Sequence, residues 1–284
     1  MSQSHAFHYK VPRRAAGWRP GSHPGSSLGP GQEFVSHGRL YDWPDPRRLD
    51  LRASLREVRG DWLVRINRQR VSMPVYVIVD VSGSMCFGQS RSKLQVVADF
   101  VEALGQSAFR VGDPLGMVAF DAHEREDLFV PALLSRGAGT LMAAALKHCK
   151  GSAGGIAGLQ EAAARLAGNH GLVFLVSDFY FVLDRLDEVL DALAPAFIVP
   201  MIVSDPAETD PPRDNALLAV QDVETGARRT LWLRPSVRNR WRESVERKSA
   251  ELNQLFAARA IRPFHLGGTF EGEALSRYFF EVSA

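Results

Sequence analysis

From Pro74 onward the chain alternates between two hydrophobic patterns. Short, continuous apolar runs rich in β-branched residues occur at Pro74–Val81 (PVYVIVDV), Leu115–Phe120, Gly171–Val176 (GLVFLV), Ala196–Val203 and Ile261–Leu266. Such runs suit strands buried on both faces of a parallel sheet. Between them, apolar residues recur every third or fourth position. Lys93–Phe109 carries Leu94, Val97, Ala98, Val101, Leu104 and Ala108 at helical spacing, and Leu141–Lys147, Leu159–Leu166 and Leu183–Leu193 read as further helices. Ser236–Ala258 aligns Val237, Trp241, Val245, Leu252 and Phe256 on one stripe. Pro200 inside the fourth run argues for an edge strand or a bulge. Glu224-Thr225-Gly226, between Ala216–Val223 and Arg228–Leu233, predicts a hairpin. Strands alternating with helices imply an α/β fold, a doubly wound, mainly parallel sheet flanked by helices.

Before Pro74 the pattern weakens. Asp61–Arg70 (DWLVRINRQR) reads as a half-buried strand, but residues 1–45 are rich in Gly, Pro, Ser and Arg, and RPGSHPGSSLGPGQEF reads as loop. The division expected is a basic segment at 1–70 with little regular structure, its first 30 residues the most mobile, and an α/β domain at 71–284.

Charge sharpens that division. Residues 1–70 hold 13 Lys/Arg and 6 Asp/Glu, a surplus of seven positive charges, and since the whole chain carries +2 the rest carries −5. The basic segment is therefore expected to lie over the acidic body and pair with it. Neither aromatic interleaving nor a known module points to nucleic acid. Cys86 and Cys149 are too few for a disulfide framework or a thiolate zinc site. No apolar run is long enough to span a membrane, and the first residues lack the apolar stretch of a secretion signal. A cytoplasmic protein is expected.

The chemistry concentrates in Asp80-Val-Ser82-Gly-Ser84-Met85, which ends the most apolar strand and precedes a helix. In a doubly wound sheet ligands bind at that edge. Side chains at i, i+2 and i+4 of an extended segment point the same way, so Asp80, Ser82 and Ser84 can converge. They are hard oxygen donors, suited to Mg²⁺ or Mn²⁺ and poor for zinc. Asp178, in Leu175-Val-Ser-Asp178-Phe179, ends a second buried strand and could face Asp80 and hold a metal-bound water; the alternative is that it caps the following helix. No G-x-S-x-G elbow and no P-loop is present, and no histidine stands near Ser82, Ser84 or Cys86 in sequence, although folding could bring His123, His148 or His170 close.

VYVIVDVSGSM, a helix, DPLGMVAFD and VFLVSDF together resemble a von Willebrand factor A-like domain with its metal-ion-dependent adhesion site. EFVSHGRLYDWPDPRRLDLRASLREVRGDWLVRINRQR and QDVETG resemble the bacterial MoxR-associated branch of that superfamily, from about Gly31 to the C-terminus. Within it, HYKVPRRAAGWRPGSHPG and DPRRLDLRASLR are similar to an accessory protein of bacterial methanol oxidation. The resemblance implies a site of Asp80, Ser82, Ser84 and Asp178. The family threonine follows a Gly-Gly pair and opens a helix; here Gly154-Gly155 leads to Ile156, which cannot ligate, and Thr140 after Gly137-Ala-Gly139 is the other candidate. Leu51 also stands where the branch has an aromatic residue.

What the resemblance implies is a non-enzymatic adaptor. It would work with a MoxR-type AAA+ ATPase in the maturation of a client, the methanol dehydrogenase system being the client of the narrower match. The rival readings are a metal-dependent hydrolase at Asp80/Asp178 and a structural remnant whose metal site has decayed. Arg47, Arg48, Arg52 and Arg56 read as partners of the acidic body or as an interaction surface.

Overall fold

The computed structural model describes residues 6–15, 19–29, 31–149, 151–209, 217–221, 228–232 and 234–283. The elements run β1 (Pro20–Gly29), β2 (Glu33–Arg39), α1 (Leu51–Ser54), β3 (Leu63–Val71), β4 (Val75–Asp80), α2 (Lys93–Val111), β5 (Leu115–Phe120), β6 (Glu124–Leu133), α3 (Ala138–Lys147) and α4 (Ile156–Arg165). They continue with β7 (Leu172–Ser177), α5 (Leu186–Ala192), β8 (Phe197–Ser204), α6 (Pro206–Thr209), β9 (Leu217–Gln221), β10 (Arg228–Trp232), α7 (Pro235–Ala257), β11 (Phe264–Gly267) and α8 (Gly272–Ser283).

The central sheet has the order β11-β8-β7-β4-β5-β6. Its first five strands are parallel, and β6 closes one edge antiparallel to β5. This is the doubly wound, mainly parallel α/β architecture that the hydrophobic pattern implies. Strand side chains alternate between two cores. Val75, Val77 and Val79 of β4 enter the core beneath α2, α3 and α8; Ile78, with Val118 and Val173 of the neighbouring strands, enters the core beneath α4, α5 and α7. Burying both faces is why these strands read as unbroken apolar runs.

β8 is an interior strand, contrary to the edge or bulge that Pro200 suggests. Pro200 pairs with Leu175 of β7, but the pairing with β11 begins only at Met201. At Pro200 the strand therefore has one neighbour, and the missing N–H is tolerated. β9 and β10 pair antiparallel as expected, while the turn at Glu224–Gly226 lies outside the described residues. No helix of the described residues is long and apolar enough to cross a membrane.

The segment ahead of the core is more regular than its composition suggests. β1, β3 and β2 form a separate antiparallel sheet, and the PGSHPGSSLG stretch read as loop is β1 itself. Its ladder is broken by register shifts that absorb its prolines. Its glycines permit close approach: a Cβ on Gly21 would lie 2.2 Å from the Ser72 nitrogen. Residues before β1 are also built in. Phe7 and Tyr9 are buried, Phe7 packing against Phe100 and Phe270 and Tyr9 against Phe279. The Tyr9 hydroxyl donates to Asp113 Oδ2 at 2.6 Å, and His23 Nε2 lies 2.6 Å from the same oxygen.

Candidate functional site

β4 and β7 are neighbours, and the chain leaves them for opposite flanks of the sheet. Their C-terminal ends thus form the switch point at which a doubly wound sheet opens a crevice. Asp80 ends β4 there and is 1% exposed. Its Oδ1 accepts the Ser82 N–H at 2.9 Å, and its Oδ2 accepts the Ser177 hydroxyl at 2.6 Å, so the ends of β4 and β7 are joined through this carboxylate. Ser82 and Ser84 follow in a short 3₁₀ turn, their hydroxyl oxygens 3.1 Å apart. Burial and then the Asp178 charge push the Asp80 carboxyl up to about 6, against the hydrogen bonds from Ser177 and Ser82.

The loop before α4 lies along this turn. Ser82 bridges to Ser152, and Gly83 N–H donates to the Ser152 carbonyl at 2.7 Å. The Ser152 hydroxyl donates to Asp121 Oδ2 at 2.6 Å at the end of β5, where Arg125 and the His123 N–H also donate. Burial pulls the Asp121 carboxyl up, but these donors outweigh it and hold the group below its usual range. The helix after Gly154-Gly155 does open at Ile156, which is half-buried against the second core. Thr140 stands exposed on α3. The backbone beside Ser82 and Gly83 therefore comes from the loop ahead of Ile156.

Asp178 follows β7 in a turn that Phe179 holds at φ 55°, a left-handed conformation that costs a non-glycine residue about 1–3 kcal/mol. Phe179 is fully buried against Phe181 and Phe256, and its N–H donates to the Ser177 hydroxyl. That packing offsets the strain and sets the direction of Asp178, whose Oδ1 accepts the Tyr180 N–H at 3.1 Å. Its Oδ2 accepts the Lys93 ammonium at 2.6 Å. Lys93, the first residue of α2, is 2% exposed and also donates to both oxygens of Glu208, at 2.8 and 3.0 Å. Burial raises the Glu208 carboxyl, opposed chiefly by Lys93. Tyr180, its ring 5.3 Å from the Lys93 nitrogen and 4.7 Å from that of Lys248, is pushed up to about 12 by burial and then by Glu208 and Asp178.

A family model described as "protein of unknown function DUF58" matches residues 39–251, three quarters of the chain, and that span holds every residue of this crevice. The chain belongs to the DUF58 family. No curated protein matches it. Among solved structures it is similar to BatB from Bacteroides thetaiotaomicron, at 14% identity and TM-score 0.46, over 75% of this chain and 98% of that one. An aerotolerance-related membrane protein from Bacteroides fragilis with multiple mutations to serines gives 12% identity and TM-score 0.44 over the same shares. Proximal thread matrix protein 1 of the mussel byssus gives 15% and 0.37, over 47% of this chain and 38% of that one.

In this DUF58 chain the four residues singled out in the sequence sit at one crevice, Asp178 near enough for its charge to raise the Asp80 carboxyl. Asp80, Ser82 and Ser84 lie together, while Asp178 is tied to a lysine. Among the described residues no group of three His, Cys, Asp or Glu could hold a metal ion. Asp178 faces a buried ammonium that would repel a divalent ion, so with Lys93 in place the donor set does not fit Mg²⁺ or Mn²⁺. Among the described residues no histidine hydrogen-bonds Ser82, Ser84 or Cys86, and His123 Nδ1 lies 3.2 Å from Glu161 Oε1. Lys93, Glu208, Ser152, Asp121 and Ser177 were not singled out in the sequence. Lys93 left one signal: a cation in the first turn of a helix opposes the helix dipole and so needs a partner elsewhere.

Proposed function

We propose that this protein is a non-catalytic adaptor that works with a MoxR-type AAA+ ATPase on a client, with the methanol dehydrogenase system as the client to test first. The observation that supports this reading is a surface on the lobe ahead of the central sheet. On α1 and the turns after it, Leu51, Leu55 and Val58 are 57%, 82% and 98% exposed. Arg52, Arg56 and Arg59 each follow one of them by one residue and are exposed, and Arg47 stands nearby. Among the described residues none of these four arginines makes an ion pair, whereas Arg48 is bound to Asp45 at 3.0 Å. The arginines therefore do not neutralise the acidic body. Aliphatic side chains interleaved with unpaired guanidinium groups suit an acidic protein surface, which can bury the former and pair with the latter. The strand-end crevice supports the same reading, since its carboxylates are engaged by the chain's own donors.

The test is a binding assay with the MoxR-type ATPase of the same host, at low and high salt. The wild type is expected to bind, more weakly as salt rises. Arg52→Glu/Arg56→Glu/Arg59→Glu is expected to lose at least about tenfold in affinity while melting normally. A panel of esters and phosphoesters is expected to stay unhydrolysed. Absence of binding by the wild type, or hydrolysis abolished by Asp80→Ala, would overturn the proposal.

A further inference from the structure

We infer that the ammonium of Lys93 is the resident cation of the Asp80/Asp178 crevice, and that the crevice works without a divalent ion. The inference concerns the crevice alone and is independent of the ATPase partnership.

Three observations carry it. The first is burial. Lys93 is among the largest fully buried side chains of the described residues, although lysine is among the residues least often buried without a partner. The second is stoichiometry. An ammonium has three donors and no acceptor, and Lys93 Nζ meets three carboxylate oxygens within 3.0 Å: Asp178 Oδ2, Glu208 Oε1 and Glu208 Oε2. The Tyr180 ring lies 5.3 Å from the same nitrogen. The third is construction. Each partner is held by a different element. Asp178 directly follows β7 and is backed by the left-handed Phe179, and Glu208 lies on α6, its carbonyl accepting Trp241 Nε1 of α7 at 2.7 Å. Lys93 itself sits behind the Ser92/Gln95 capping box of α2, with its backbone N–H on the Phe87 carbonyl at 2.8 Å. One tethered charge thus joins β7, α2, α6 and α7 at the edge of the sheet.

A divalent ion bridging Asp80 and Asp178 would sit close to this ammonium without displacing it, because Lys93 is covalently fixed and its oxygens surround it. The like charges exclude the ion. Removing the charge while keeping the side-chain volume should reverse the selectivity, since Asp178 and Glu208 would then form an uncompensated carboxylate pair beside Asp80. Hard divalent ions seek such oxygen pairs.

The experiment is a Mn²⁺ titration, read by calorimetry and by the electron paramagnetic resonance signal of free Mn²⁺, on the full chain. Wild type and Lys93→Arg, which keeps the charge, are expected to show no saturable binding up to millimolar ion. Lys93→Met is expected to bind at least about tenfold more tightly than wild type, and the gain is expected to vanish in Lys93→Met/Asp178→Asn. Should Lys93→Met fail to fold alone, folding restored by Mn²⁺ supports the inference and failure of Mn²⁺ to restore it overturns it, because an ion that binds only the folded chain stabilises it. Saturable Mn²⁺ binding by the wild type that Asp80→Asn abolishes, or a folded Lys93→Met that binds no better than wild type, would also overturn it.

Discussion

Replacing Asp113 with alanine isolates what holds the opening residues to the core. Its carboxylate, with 0% of the side chain exposed, sits between α2 and β5 and accepts from three separate places. The Tyr9 hydroxyl and His23 Nε2 reach Oδ2, each at 2.6 Å, and the Met73 N–H reaches Oδ1 at 2.9 Å. Tyr9 also stacks on His23 with ring centroids 5.9 Å apart. Alanine would leave three buried polar groups without partners. Each such group costs about 1–3 kcal/mol, and water entering the space left would offset part of it, so a loss of about 4 kcal/mol is expected. For a chain of this size that lowers the melting temperature by about 10 °C, at about 2–4 °C per kcal/mol. Asp113→Asn keeps an acceptor for Met73 and is expected to lose about half as much. Tyr9→Phe removes one hydrogen bond and is expected to lose about 1–2 kcal/mol. The assay is thermal and urea unfolding, with limited proteolysis of the native protein to follow the segment before β1. Faster cleavage there is expected in Asp113→Ala. A melting temperature within about 2 °C of wild type, with unchanged cleavage, would refute the reasoning that this carboxylate anchors the segment.

Two further outcomes follow from the same structure, beside the arginine reversals and the Mn²⁺ titration described above. The Asp80 carboxyl, raised by burial to about 6 when folded, binds its proton more tightly than it does in the unfolded chain, so ionisation costs stability as pH rises from about 4 to about 6 and the loss persists above that window. Asp80→Asn removes this cost, and its loss of the charged acceptor for Ser177 offsets part of the gain. The variant is therefore expected to be about 1–2 kcal/mol more stable than wild type at pH 8 and to lose the advantage near pH 4, as urea unfolding at the two pH values would read; equal or lower stability at pH 8 refutes it. Gly21→Ala forces a Cβ to 2.2 Å from the Ser72 nitrogen and is expected to cost about 2–3 kcal/mol by prising β1 from β3; wild-type melting would contradict the close approach.

The amino-acid pattern alone determined the buried strands of the central sheet. Strands buried on both faces must be unbroken apolar runs and the helices that cover them must repeat every three to four residues, so β4, β5, β7, β8, α2 and α4 were legible wherever local sequence and burial agree. The Asp80, Ser82 and Ser84 grouping was legible for the same reason, being set by spacing along one segment. Elements whose residues face water on one side escaped. β6 is an edge strand that opens on four consecutive charged residues, and β1 reads as loop because its glycines and prolines become a strand only against β3. The tertiary structure alone decided the partners. It brought Lys93 across 85 residues to Asp178 and 115 residues to Glu208, and Tyr9 across 104 to Asp113. A lysine at the start of an amphipathic helix opposes the helix dipole, but that local mark names no partner. Whether its charge faces solvent or two carboxylates depends on which strand ends the sheet sets beside it, and that is fixed by strand order, which no stretch of sequence contains.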